Sequence, residues 1–315
     1  MARARRGAGR RRGAGDGGVI RRRALLPLAA AVAGPGRARA VQAGGYGRIA
    51  CAGSALTETV CALGQGGRLV AVDSSSGFPA AETARLPRIG YYRALPTEGL
   101  VSLAPDLVLL SSDAGPPGVI AVLREAGLPI RVIEDGVGPG AAEAKARAVA
   151  AAIGVDGERL ADAIAADWAA LDAPIAALPR PRVLFVLSLS RGAPLVGGRD
   201  THADAAIAAA GGVNCAHEIW SGYRPLAAES AAGLAPDVVL MMQQSLAEAG
   251  GVAEVAAAPA IAVTPAGQAG RIIGMDGPYL MNFGPRAAHS RRDLALRLHP
   301  GLALPPLPAR PWIGG

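Results

Sequence analysis

Residues 92–110 read YRALPTEGLVSLAPDLVLL and residues 223–241 read YRPLAAESAAGLAPDVVLM, with ten of nineteen positions identical at a constant offset of 131 and no gap. Each copy has the same physical grammar. A polar loop leads into a short helix opening near Thr97-Glu98 or Ala228-Glu229, an Ala-Pro-Asp turn follows, and an apolar run ends the unit. Continuous apolar runs such as 107–110 and 238–242 suit parallel strands covered on both faces. The repeat therefore predicts two similar α/β lobes.

The alternation continues outward from the repeat. In the first lobe, strands are expected at 48–52, 69–72 and 130–133, and helices at 54–63 and 118–126. The second lobe is expected to open with a strand at 183–187 and a helix at 201–210. Alanine-rich sequence at 140–178 predicts a helical connection, interrupted at Asp156-Gly157 and continuing as one long helix over 158–178. Such a connection is stiffer than a Gly/Ser linker and holds the lobes at nearly fixed separation. The expected organisation is a leader at 1–43, an N-terminal lobe at 44–139, the connection at 140–180, a C-terminal lobe at 181–300 and a Pro-rich extended tail of little consequence at 301–315. A ligand would sit in the cleft between the lobes, where carboxyl ends of parallel strands converge.

Charge divides the chain in a different way. Of 32 basic and 25 acidic residues, eleven arginines and one acid lie in residues 1–43, leaving 21 and 24 for the body, a net of −3 where the whole chain carries +7. A body of that sign offers no basic face for phosphates, which argues against nucleic-acid binding. The leader has Arg21-Arg22-Arg23, an apolar run at 24–34, and small residues around Ala40 and Ala43, the order of a cleaved secretory signal. The string Arg22-Arg23-Ala24-Leu25-Leu26 hints at twin-arginine export. A disordered arginine-rich N-terminus is the other reading. No later apolar run approaches the ~18 residues that a membrane span needs, so the mature chain is expected not to cross a membrane. Three cysteines, Cys51, Cys61 and Cys215, have neither zinc-site spacing nor a disulfide framework. They read as buried free thiols, with a Cys51–Cys61 bond left open.

Three of the five tyrosines fall at matching loop positions, in Gly90-Tyr91-Tyr92-Arg93 and Gly222-Tyr223-Arg224. A phenol has an intrinsic pKa near 10, yet a neighbouring cation or a ferric centre favours the phenolate. Tyrosine can also serve as an axial ligand of haem iron. The same residues could instead cap the loop ends and pack between helices. Ser54 in Gly53-Ser54-Ala55 is no nucleophile elbow, and H-E-x-x-H, P-loop and G-x-G-x-x-G patterns are absent, so a cleft enzyme is disfavoured.

Residues 48–72 (RIACAGSALTETVCALGQGGRLVAV), 89–110, 182–213, 222–240 and 279–285 (YLMNFGP) resemble the periplasmic haem-binding proteins of bacterial ABC importers, over about residues 48–299. The wider family includes cobalamin- and ferric-siderophore-binding proteins, which stand as the alternative function. The resemblance implies a monomeric periplasmic carrier of ferric haem b that delivers its ligand to a dimeric ABC permease. It matches Gly90-Tyr91-Tyr92-Arg93-Ala94-Leu95 to the family's G-Y-x-R-x-L loop, with Tyr91 as iron ligand. The internal repeat instead aligns Tyr92 with Tyr223, which makes Tyr92 the competitor. Arg93 would steady a phenolate or grip a haem propionate, and Tyr223 and Arg224 would reach the ligand from the second lobe. The resemblance also makes Glu98 and Glu229 docking groups for arginines of the two membrane subunits; in the first turn of a helix they equally complement its dipole. Some family members add a histidine from the loop at 187–191, which reads LSLSR here, so a five-coordinate, tyrosine-only site is expected. His202 lies near a helix start from which it could reach the cleft, and His217 sits beside the repeat loop; His289 and His299 read as structural.

Overall fold

The structure, a computed structural model, describes residues 45–189 and 194–314. The leader reading of residues 1–43 lies outside the described residues. Sheet A holds β1 (Ile49–Ala52), β2 (Leu69–Val72), β3 (Leu107–Ser111) and β4 (Ile130–Ile133), in the order β2-β1-β3-β4 with every pairing parallel. Sheet B holds β5 (Arg182–Ser188), β6 (Leu195–Gly197), β7 (Val213–Asn214), β8 (Tyr223–Pro225), β9 (Val238–Met242) and β10 (Ile272–Met275). Its order is β10-β9-β5-β6-β8, with β7 also on β5; β6 runs antiparallel to both neighbours.

Strand periodicity of two sorts the core into layers. Ile49, Cys51, Leu107 and Leu109 face one apolar cluster, while Ala50, Ala52, Val108 and Leu110 face another on the opposite side of sheet A. Sheet B repeats the device with Val183, Phe185, Val238 and Leu240 against Leu184, Val186, Val239 and Met241. The central strands are thus covered on both faces, as their unbroken apolar runs required.

The repeated Ala-Pro-Asp turn has a common mechanism in both lobes. Ala104 and Ala235 both take left-handed backbone, with φ of 43° and 41°. This bend ends the helices Thr97–Ser102 and Ala228–Leu234 and drops the following aspartate beside the start of the lobe's first strand. The Asp106 carboxylate accepts from the Gly47 and Arg48 N–H groups at 3.1 Å, and Asp237 accepts from the Arg182 N–H at 2.8 Å. The Arg48 and Arg182 side chains reach back to the Leu103 and Leu234 carbonyls at 2.9 and 2.7 Å. Each turn therefore locks one helix end to one strand start, satisfying carbonyls that the helix leaves open.

The connection departs from one long helix. It consists of Ala141–Ile153, Glu158–Ala169 and Asp172–Ala176. Pro174 is the cause of the second break, because its ring clashes with the carbonyl four residues back and it has no N–H to donate to it. The first two helices pack together, with Arg147 on Glu158 at 2.8 Å. The tail also differs from expectation. Leu304 is buried in the second lobe's core, and Arg310 forks onto the buried Asp167 at 2.6 and 2.9 Å.

A polar seam joins the lobes. Arg286 of the second lobe donates to both oxygens of Glu58 on the first-lobe helix Ser54–Ala62, at 2.8 and 2.6 Å. Its guanidinium also lies 3.6 Å over the Phe78 ring and 4.8 Å from that of Tyr279. Burial pushes the Glu58 carboxyl up, and the paired Arg286 pulls it back. Lys145, the only lysine, is fully buried and donates to Asp135 and, at 2.7 Å, to the Asn282 carbonyl. The Asn282 amide completes the seam on the Ser54 hydroxyl.

Two expectations follow. Glu58→Ala strands a mostly buried guanidinium and should cost about 3–5 kcal/mol in denaturant unfolding, whereas the apolar double variant Glu58→Leu/Arg286→Met should lose less. An equal or greater loss in the double variant would assign the seam's strength to packing rather than charge pairing. The thiols give the second. All three cysteines are free and buried, and burial pushes Cys51 up to about 12 and Cys215 up to about 11, with Cys61 raised as well. A raised thiol pKa keeps the reactive thiolate absent at pH 8 and makes folding less favourable as pH climbs above about 8.5, where unfolded thiols ionise first. Native protein at pH 8 should resist alkylation, and denaturation should release three reactive thiols; ready labelling of the native protein would contradict this.

Candidate functional site

Gly90 starts the first tyrosine loop in left-handed backbone, φ 85°, where a Cβ would also meet the Pro96 ring at 3.0 Å. This turn projects Tyr91 outward at 47% exposure and sends Tyr92 back into a one-turn helix, Tyr92–Ala94. The loop is anchored where the Gly115 N–H meets the Tyr92 carbonyl at 3.0 Å and the Leu95 N–H meets the Gly115 carbonyl at 2.9 Å. The two phenol rings meet edge to face, 4.8 Å between centroids. Tyr92 packs on the first-lobe core, and burial pushes its phenol well above the usual range, with Arg93 pulling only partly the other way.

Arg93 lies 5.2 Å from the Tyr92 ring centre and pairs with Asp113. It is also close enough for its charge to act on Tyr223 of the second lobe, where burial raises the phenol and Arg93 and Thr201 lower it. Tyr91 enters the same electrostatic environment. Tyr91, Tyr92 and Arg93 are therefore grouped on the first lobe, and the charge of Arg93 reaches Tyr223 of the second.

Tyr223 was expected in a loop but stands in edge strand β8. There it pairs in register with Gly197, and its ring packs against Phe185 at 6.5 Å between centroids. A Cβ on Gly197 would come within 3.2 Å of the ring, so the glycine makes room for the phenol. Gly222 before it is left-handed like Gly90, with φ 73°. The backbone thus matches Gly90-Tyr91 to Gly222-Tyr223, one residue out of step with the sequence repeat.

Arg224 is not brought into this group in the same way. Strand alternation sends it to the face of Val196, opposite Tyr223. Its side chain is exposed and makes no hydrogen bond or ion pair among the described residues. Glu98 and Glu229 are exposed in the first turns of the two repeat helices and likewise carry no side-chain partner among the described residues. His202 Nδ1 lies 3.0 Å from the Met281 carbonyl, and His217 Nδ1 lies 2.9 Å from Asp204, whose hydrogen bond raises its pKa. The 187–191 loop is described only as far as Leu189. Among the described residues no three His, Cys, Asp or Glu side chains gather as a bare-metal site.

Sequence reasoning missed Asp113. Its signal was positional: it lies two residues beyond the carboxyl end of β3, at the sheet edge where α/β folds collect functional loops. A pocket of about 670 Å³ lined by Trp168, Ile175, Arg180 and Arg291 lies elsewhere, and none of the tyrosines faces it.

The family model described as periplasmic binding protein matches residues 49–279. The chain belongs to the periplasmic binding protein family. Three solved structures of the fold are similar along nearly their whole length. The periplasmic heme-binding protein RhuT from Roseiflexus sp. RS-1, in apo form, is 39% identical with a TM-score of 0.78, over 81% of this chain and 98% of that one. The periplasmic heme-binding protein BhuT in complex with two hemes is 40% identical with a TM-score of 0.76, over 80% and 97%. The periplasmic heme-binding protein HutB of Vibrio cholerae is 34% identical with a TM-score of 0.71, over 80% and 99%. No curated protein sequence matches the chain. As a periplasmic binding protein the chain has the expected fold class, two α/β lobes with mainly parallel sheets. None of the described helices is long and apolar enough to cross a membrane.

Proposed function

We propose that the mature protein is a periplasmic carrier that captures ferric haem b between its lobes through Tyr91 and hands it to an ABC-type permease. The observation that carries the reading is an exposed phenol on a left-handed glycine turn, Tyr91, next in the chain but one to Arg93, whose charge also reaches Tyr223 of the other lobe. A ferric porphyrin can be held by one open axial donor, of which a tyrosine phenolate is one kind, with flat apolar or aromatic surface at its faces and cations for its propionates. Tyr91 supplies the first, and Tyr92 and Tyr223 supply aromatic surface. Arg93 stands where it can serve a propionate; Arg224, on the face of edge strand β8 opposite Tyr223 and without a side-chain partner among the described residues, would have to reach round the sheet edge to serve one from the second lobe. Tyr91 is favoured over Tyr92 because an axial ligand must be open to the cleft, and Tyr92 is spent on packing its own lobe. The three haem-binding relatives support the same ligand.

Haemin titration tests the reading. The wild-type protein should give a high-spin ferric, tyrosinate-type absorption spectrum. That signature should vanish in Tyr91→Ala and persist in Tyr92→Ala. The reverse pattern would move the ligand by one residue, and absence of haemin binding to the wild type would sink the haem reading in favour of a corrinoid or ferric siderophore, whose metal arrives already coordinated.

Delivery gives the second test. Glu98 and Glu229 stand on equivalent helices of the two lobes with no side-chain partners among the described residues, an arrangement suited to groups that meet two like subunits. Replacing both with alanine should abolish stimulation of the cognate permease's ATPase in proteoliposomes while haemin affinity stays unchanged. Full stimulation by the double variant would remove these residues from the docking surface.

A further inference from the structure

Arg93 differs from the arginines that fork onto buried carboxylates. Arg286 forks onto buried Glu58, and Arg310 onto buried Asp167. The Arg93–Asp113 pair instead leaves 48% of the arginine side chain and 37% of the aspartate side chain exposed. Pairs open to water on that scale contribute little and are readily exchanged.

The two partners are not equally anchored. The Asp113 N–H donates to Ser111 Oγ at 3.1 Å, and that hydroxyl donates to Asp135 at 3.0 Å. Asp135 is in turn held by buried Lys145, which binds the Asn282 carbonyl of the other lobe. Asp113 is therefore tied through its backbone to the interlobe seam. Arg93 is a long side chain on a single helical turn, already within electrostatic range of both lobes' tyrosines.

We infer that Asp113 is a positioning residue that holds Arg93 beside the cleft in the ligand-free protein and yields it to a carboxylate of the incoming porphyrin. The inference rests on the haem reading above. One exposed ion pair is exchanged for another, and the released Asp113 carboxylate is left where water can solvate it. A porphyrin without carboxylates offers nothing in exchange, so Arg93 stays on Asp113. The pair thereby makes capture of a charged porphyrin slightly weaker than it could be, and makes Arg93 answer to the ligand's charge.

The test compares wild type, Asp113→Asn and Asp113→Glu against haemin and against haemin dimethyl ester, whose carboxylates are masked. Removing the competing carboxylate should tighten haemin binding about two- to fivefold at low salt. The gain should shrink as salt rises, because exposed charges are screened. Ester affinity should not change in Asp113→Asn, and Asp113→Glu should behave as wild type. Thermal unfolding of the exposed-site variant should match wild type, which separates charge from folding. Equal tightening for the ester, or unchanged or weaker haemin binding, would overturn the role of Asp113 while leaving haem as the ligand. A wild-type protein that binds neither compound would sink the haem reading, and this inference with it.

Discussion

The bidentate contact between Glu58 and Arg286 fixes the geometry on which the rest of the molecule depends. Two opposite charges are taken largely out of water there, and withdrawal of either from solvent is costly unless the geometry is good and the remaining donors are used. Both conditions are met. The guanidinium spends two donors on the carboxylate and lays its faces on Phe78 of one lobe and Tyr279 of the other. Lys145 adds a buried ammonium that binds Asp135 on its own side and the Asn282 carbonyl across the boundary. A sliding or opening motion would have to expose or orphan these charges together. The seam therefore ties together the two lobes that carry the Gly90 and Gly222 turns, and with them Tyr91 and Tyr223.

Within each lobe the same logic appears in smaller form. Ala104 and Ala235 accept left-handed backbone, a conformation that carries a cost for alanine, and the following aspartates recover it by closing N–H groups at the first strand. What differs between the lobes is the edge. Sheet A remains wholly parallel, whereas sheet B gains β6 and β8 as an antiparallel extension. One tyrosine is consequently displayed on a glycine turn and the other on a strand. The strand gives Tyr223 a fixed direction against Phe185 and sends Arg224 to the other face.

The central strands were legible because four or five consecutive apolar residues between turn signals leave few other solutions, and β1, β3, β5 and β9 lie where expected. The long connecting helix failed at Pro174, a residue whose backbone restriction outweighs the helical tendency of its alanine neighbours. The short strands β6, β7 and β8 carry no periodic signal in two or three residues. At the site, the tyrosines and Arg93 stood out because aromatics are scarce in this chain. The repeat nonetheless paired Tyr92 with Tyr223, because sequence identity counts residues and does not record which glycine turns the chain. Glu58 and Arg286 lie 228 residues apart, and only the folded topology could have paired them.

Burial divides the chain's charges by task. Glu58, Lys145, Asp167 and Arg286 are enclosed, and their partners cannot leave without stranding them. Such charges serve geometry. Arg93 and Asp113 pair in water, where each can change partners at small cost, and Arg224, Glu98 and Glu229 are exposed with no side-chain partner among the described residues. A carrier needs both kinds. Capture and release require interactions weak enough to be exchanged, and those interactions select their ligand only if the scaffold presenting them does not yield. The same solvent that makes the exposed pair replaceable makes the buried seam permanent, so the division of labour follows from where water reaches and not from any difference in the residues' chemistry.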